Sequence, residues 1–212
     1  MRPLLLGHRG ARASRQVPEN SLASFELCLE HGCDGFEFDV RRSGDGHAVL
    51  CHEPTIRGLR IDDTSARELC LPSLNEVLRQ FSRRAFLDIE LKVPGLESQV
   101  LAALGEHIPQ RGYVVSSFLP DVLDRIQSLD SKVPLGFIFD RQSHNPPSRL
   151  DLFWTIPNFR LVNRELVEEV HGSGEKMMVW TVNRTDDIQR MVAWGVDAIV
   201  SDETEVLGRF SR

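Results

Sequence analysis

Short apolar runs and amphipathic helical stretches alternate along the whole chain, and few architectures accept that alternation. Strand-like runs fall at residues 4–7, 35–40, 85–91, 113–116, 134–138, 159–162, 177–181 and 198–201. Most lack a clean apolar/polar alternation, which is the pattern of strands buried on both faces of a parallel sheet. Helical spacing lies between them. Leu22, Phe25 and Leu29 form one stripe, opened by Asn20 or Ser21 and closed by Gly32. Ser73-Leu74-Asn75-Glu76 has capping-box spacing. Leu166, Val167 and Val170 follow Asn163 and precede Gly172, and Ile188, Met191 and Val192 lie between Thr185 and Gly195. Eight strand-like runs alternating with helical or connecting segments predict an α/β chain, and the count favours a closed (β/α)8 TIM barrel over an open sheet.

A barrel of this kind accounts for residues 1–212 as one domain. It is near the lower size limit of the fold. The stretch 41–72 is too long for a strand-to-helix loop. It is rich in turn formers and carries a ninth apolar run at 48–51, so it is expected to be a small insertion after the second strand, lying over one end of the barrel. Residues 143–157, with three prolines and little periodicity, are the least regular part.

Composition removes several function classes. A net charge of −6 without any Lys/Arg-rich run argues against nucleic-acid binding. No stretch approaches the roughly 20 apolar residues of a membrane span. The opening Met1-Arg2-Pro3-Leu4-Leu5-Leu6 has too short an apolar run for a signal peptide, so a cytoplasmic location is expected. Cys28, Cys33, Cys51 and Cys70 form no CxxC pair and are expected to be buried free thiols rather than zinc ligands. His31, His47, His107, His144 and His171 carry no such context and are assigned structural roles.

The informative polar residues fall where barrel strands end, the place where barrel active sites are built. His8-Arg9 follows the first run, and Glu37 and Asp39 close the second, spaced so that both side chains point to one side. Glu90 and Lys92 repeat that spacing, His52 follows the run 48–51, Trp180 and Asn183 end the seventh run, and Asp202 follows the eighth. Two inward carboxylates in an apolar strand repel each other and are costly to desolvate, and a divalent cation removes both problems. Glu37, Asp39 and Glu90 are hard oxygen ligands suited to one Mg2+ or Ca2+. His8 and His52 can share general acid and base duties. Arg9, with its planar fork, and Lys92 can oppose phosphate charge, or pair with Glu19, Glu37 or Glu90. Trp180 can wall a glycerol or alcohol group.

These residues sit in blocks that resemble the glycerophosphodiester phosphodiesterase family. The blocks are Gly7-His8-Arg9-Gly10-Ala11, Pro18-Glu19-Asn20-Ser21, Gly35-Phe36-Glu37-Phe38-Asp39-Val40, Val49-Leu50-Cys51-His52, Asp88-Ile89-Glu90-Leu91-Lys92, Trp180-Thr181-Val182-Asn183 and the run from Gly195 to Asp202. Their order covers nearly the whole chain. The resemblance implies a (β/α)8 barrel with an insertion after the second strand, and His8 and His52 as acid/base pair. It also implies a divalent metal on Glu37, Asp39 and Glu90, with phosphate on Arg9 and Lys92. The reaction implied is cleavage of a small-molecule glycerophosphodiester to sn-glycerol 3-phosphate and an alcohol. Glu53 departs from the pattern, which has Asp after the second histidine. Two alternatives stand beside this: a related barrel phosphodiesterase acting on lysophospholipids or other diesters, and a non-catalytic barrel that binds phosphate esters. The second would be expected to have lost a histidine or a ligand, and none is missing.

Overall fold

The computed structural model describes residues 2–141 and 149–211. In chain order its elements are β1 (Leu4–Gly7), α1 (Leu22–Glu30), β2 (Gly35–Arg42), β3 (Ala48–Leu50), β4 (Thr55–Ile56), β5 (Leu59–Arg60), α2 (Ala66–Leu69) and α3 (Leu74–Phe81). There follow β6 (Phe86–Leu91), α4 (Glu97–Glu106), β7 (Tyr113–Ser117), α5 (Pro120–Leu129), β8 (Leu135–Phe139), β9 (Trp154–Pro157), α6 (Arg164–Gly172), β10 (Lys176–Val179), α7 (Thr185–Trp194), β11 (Ala198–Ser201) and α8 (Thr204–Gly208). Eight of the strands pair in parallel in the order β1-β11-β10-β9-β8-β7-β6-β2, and a β1–β2 pairing closes the ring. This is the (β/α)8 barrel expected from the alternation.

The two faces of each strand have different neighbours. Phe36, Phe38 and Val40 of β2, with Leu87, Ile89 and Leu91 of β6, point outward into the layer between sheet and helices. Leu6, Phe86, Val114, Ile138, Trp154, Ile156, Met178 and Val200 form a second cluster that fills the barrel itself. The inward positions nearer the strand ends are Glu37 and Asp39 on β2 and Asp88 and Glu90 on β6. The β2–β6 register sets Glu37 beside Asp88 and Asp39 beside Glu90. Strand periodicity thus delivers an apolar lower barrel and an acidic mouth from the same ladder.

Under β2 lies an aromatic knot. The rings of Phe25 and Phe36 stack at 4.1 Å, and Phe81 of α3 meets Phe36 edge-on at 5.1 Å. All three are fully buried. Phe81→Ala is expected to cost about 3–5 kcal/mol, the range for emptying a packed aromatic site. The drop should appear as a lower urea midpoint at similar slope; an unchanged midpoint would show that this knot does not anchor α3.

The insertion after β2 has its own order. β3 runs antiparallel to β2, β4 and β5 form a hairpin, and Val49, Cys51, Ile61 and Leu69 make a small cluster that Ile56 and Leu59 pack against. Its first strand matters most, because β3 hands His52 to the barrel mouth.

Three sequence expectations are corrected. The run 159–162 is not a strand: the sixth barrel strand is β9, five residues earlier, and 159–161 form a 3-10 turn. The Asn158 side chain accepts a hydrogen bond from Arg160 N and bends the chain there, just after Pro157, which ends the ladder. Cys70 is exposed, at a left-handed position capping α2, whereas Cys28, Cys33 and Cys51 are buried free thiols. Thr185 is the first helical residue of α7 rather than its cap, which is Arg184. His144 and the start of the 143–157 stretch lie outside the described residues. Among the described residues, no helix is long and apolar enough to cross a membrane.

Candidate active site

The turn after β1 begins the site. A side chain on Gly7 would come within 2.5 Å of Gly10 O and Cys28 Sγ, so only glycine lets the chain fold back here against α1. Arg9 then adopts a left-handed backbone (φ +53), unusual for a residue with a Cβ. Three hydrogen bonds hold it: Arg9 N donates to Glu37 Oε2 at 2.9 Å, and Arg9 O accepts from Asn20 N at 3.0 Å and Ser24 Oγ at 3.1 Å. The loop is therefore tied to both β2 and α1, and it projects His8 and Arg9 over the barrel mouth.

Glu37, Asp39 and Glu90 converge there, and one oxygen from each lies within 4.8 Å of the other two. All three are buried. Asn20 clamps Asp39 from both sides: its Nδ2 donates to Asp39 Oδ2 at 2.8 Å and its Oδ1 accepts from Asp39 N at 3.2 Å. Lys92 Nζ stands 2.6 Å from Glu90 Oε1 and 3.3 Å from Asp39 Oδ1, and Arg9 Nε is 3.3 Å from Asp39 Oδ2. Glu37 Oε1, Asp39 Oδ1, Glu90 Oε1 and Arg9 Nε are nonetheless buried without a hydrogen bond. Asp39 Oδ1, Glu90 Oε1 and Arg9 Nε rest on ion pairs alone, and Glu37 Oε1 has no polar partner. Buried polar groups are nearly always satisfied, so the spot marks a place for a charged ligand.

Burial followed by the neighbouring carboxylates holds Glu37 well above the usual carboxylate range. Burial pushes Glu90 up to about 7, with Lys92 opposing. It also raises Asp88, which accepts from Ser116 Oγ at 2.5 Å, to about 7. Asp39 alone is lowered: burial raises it, but Lys92, Asn20 and Arg9 together outweigh that. Arg9 and Lys92 cannot by themselves balance four carboxyls, and the excess negative potential is what a divalent cation relieves.

Both histidines are oriented by carboxylates. His8 Nδ1 lies 2.7 Å from Asp202 Oδ1, and His8 Nε2 points to the mouth, 3.8 Å from Glu37 Oε2. His52 Nδ1 lies 2.7 Å from Glu53 Oε1, so the departure from Asp keeps the contact. Arg41 Nε donates to His52 O at 2.8 Å and Cys51 N to Asp39 O at 3.1 Å, which ties His52 to β2. Burial, opposed by Asp39, lowers the His52 imidazole.

The cavity between these groups measures about 140 Å³. His8, Arg9, Glu37, His52, Asp88, Glu90 and Lys92 line one side, and Phe118, Ile138, Ile156, Trp180 and Val200 the other. Trp180 Nε1 donates to Ile156 O at 3.1 Å and its ring meets Phe118 edge-on at 5.4 Å, which fixes the apolar wall. One half of the cavity therefore suits a phosphate and the other a small carbon skeleton.

All eight residues singled out from the sequence meet at this mouth. Ion pairing and cavity lining coincide for Arg9, which bonds Glu19 at 2.9 Å while facing the cavity, and for Lys92. The sequence reading offered Glu19 as an ion-pair partner, which it is for Arg9, but missed the supporting roles of Asn20 and Arg12 and gave Asn183 and Asp202 no task. Position in the motif blocks marked Asn20, Asn183 and Asp202; Arg12 lies outside them.

Fold and site together define a (β/α)8-barrel phosphodiester hydrolase. The profile of the Glycerophosphoryl diester phosphodiesterase family matches residues 8–107 and 96–206. A glycerophosphodiester phosphodiesterase of Caldanaerobacter subterraneus subsp. tengcongensis is 29% identical, covering 98% of this chain and 97% of that protein. Glycerophosphodiester phosphodiesterase 1 of Mus musculus is 30% identical over 86% of this chain and 72% of its own. Among solved structures, an Oleispira antarctica phosphodiesterase in complex with the product sn-glycerol-3-phosphate superposes with a TM-score of 0.83 at 26% identity, covering 99% of this chain and 96% of that one. The Thermotoga maritima glycerophosphodiester phosphodiesterase, 24% identical over 99% of both chains, shares the fold with a TM-score of 0.87. The chain belongs to the glycerophosphoryl diester phosphodiesterase family.

Proposed function

We propose that this protein hydrolyses glycerophosphodiesters to sn-glycerol 3-phosphate and an alcohol, with one divalent cation held by Glu37, Asp39 and Glu90. The observation that carries this reading is the cluster of three buried carboxylates with oxygens within reach of one another, Glu37 Oε1 among them without a hydrogen bond, faced by two histidines each bonded to a carboxylate. The donor set fits a hard cation, Mg2+ or Ca2+: three carboxylates, buried, with unsatisfied oxygens and no soft ligand. Bound there, the cation supplies positive charge against the phosphoryl oxygens and helps lower the pKa of an attacking oxygen.

The chain's own residues supply the rest. Arg9 and Lys92 grip the non-bridging oxygens, and each is held in place by carboxylates that keep its charge aimed inward. One of His8 and His52 takes the proton of the attacking oxygen as the new P–O bond forms. The other delivers a proton to the departing alkoxide as the old P–O bond breaks. Trp180 and Phe118 wall the carbon skeleton and keep water from that side.

Small diesters suit the cavity of about 140 Å³, and the apolar and basic side chains of the insertion are largely occupied within it. Ile61 is buried, Ile56 and Leu59 pack partly buried against the insertion's own cluster, Arg60 is paired to Asp62 and Asp63, and Arg57 donates to Leu69 O, so most of these groups are engaged within the insertion. The test uses protein stripped with EDTA, given glycerophosphocholine or glycerophosphoethanolamine and then Mg2+ or Ca2+ separately. Glycerol 3-phosphate release is followed by a coupled dehydrogenase, with His8→Ala as control. Metal-restored release that the variant lacks is the expected result. No release with either metal would turn the assignment toward lysophospholipids and other diesters.

A further inference from the structure

The geometry points to Asp202 as the positioning residue that fixes His8 in the ring tautomer with its free nitrogen toward the substrate. This rests on the reading of His8 as one of the acid/base pair. Asp202 comes from the loop after β11, and the β1–β11 register, which sets Gly7 beside Ser201, brings it against His8 from 194 residues away. Its carboxylate is itself held on both oxygens. Oδ1 accepts from His8 Nδ1 at 2.7 Å and from Arg12 Nη1 at 3.0 Å, and Oδ2 accepts from Asn183 Nδ2 at 2.8 Å. Asn183 cannot flip without loss, because its Oδ1 accepts from Asp202 N at 2.9 Å and Ser201 Oγ at 3.1 Å.

Burial would raise the Asp202 carboxyl, but the bonds from His8, Asn183 and Arg12 overcome it and hold the group well below the ordinary carboxylate range. An ionised carboxylate is acceptor-only, so the shared proton sits on His8 Nδ1. In the neutral ring, Nε2, the atom facing the cavity, then carries the lone pair. Orientation and tautomer are set before any substrate arrives. His52 has a weaker version of the same device. Glu53 is 67% exposed at its side chain, against 17% for Asp202, and among the described residues His52 is the group that holds it. A solvated, singly held carboxylate orients its partner less firmly, since water competes for both groups.

The test is Asp202→Asn in the full, metal-loaded protein. The substituted amide can donate to Nδ1 and so selects the other tautomer. Expected is a loss in kcat of roughly 100-fold or more with KM within about threefold, the split for an interaction that acts on the chemical step. Long-range 1H–15N correlation should show His8 as Nδ1–H in the native protein and Nε2–H in the variant. Asp202→Glu should restore part of the rate, and Glu53→Gln should cost less than about tenfold, as for a surface pair. A native Nε2–H tautomer, near-native kcat in Asp202→Asn, or an equal loss in Glu53→Gln would each overturn the proposal. Full activity in His8→Ala would instead overturn the reading of His8, and the proposal with it. The two failures differ, because only the second appears in the His8 variant.

Discussion

Replacing His8 or His52 with alanine is expected to lower kcat for glycerophosphocholine between roughly 100- and 10,000-fold while leaving the circular dichroism spectrum unchanged. Both imidazoles are partly exposed at the cavity, and neither is packed in the apolar layer behind the strands. Truncation therefore removes a proton carrier without opening a hole in the core. Wild-type turnover in either variant would take that residue out of the chemistry. The double variant should lose little more than the worse single one if the two act in one proton circuit, since groups acting as a unit do not add.

Glu37→Gln is expected to weaken divalent-metal binding, measured by calorimetry, by at least roughly 100-fold. Loss of an outer-sphere partner already costs about 10- to 100-fold, and a direct ligand should cost no less. The substitution is nearly isosteric and isolates the charge. Glu37 Oε2 accepts from Arg9 N, and the amide oxygen of glutamine can keep that bond. Its NH2 group would then occupy the place of the orphaned Oε1 and present donors where an acceptor is needed. The turn carrying His8 and Arg9 would stay tied down, so a loss of affinity would report on ligation rather than on folding. Unchanged affinity would mean that the ligand set is wrong.

Most of the barrel was legible because its strands and helices are short and punctuated. Ser73 and Glu76 form the capping box that their spacing predicts, and Gly195 caps α7 in a left-handed conformation. The parts that stayed illegible lack such local marks. α4 has no side-chain cap; instead the carboxylate of Glu97 accepts from Gly95 N, two residues before it. α5 opens on Pro120 with no capping side chain ahead of it. The sixth strand falls five residues before the expected run because Phe159-Arg160-Leu161-Val162 has strand composition, while the bend at Asn158 depends on a hydrogen bond that no periodicity announces.

The same division runs through the site. A period of two is a property of the strand, so the spacing of Glu37 and Asp39, and of Glu90 and Lys92, was enough to put each pair on one face. Apolar neighbours were enough to make that face a buried one. Which carboxylates would meet, and what would hold them, depended on closure of the ring. Only the β2–β6 register sets Asp39 beside Glu90, and only the β1–β11 pairing carries Asp202 to His8. Asn20 reaches Asp39 because the turn after β1 folds back over β2. Such contacts span long sequence separations and are made by single polar atoms, whose partners are set by the packing of whole elements rather than by any pattern within one.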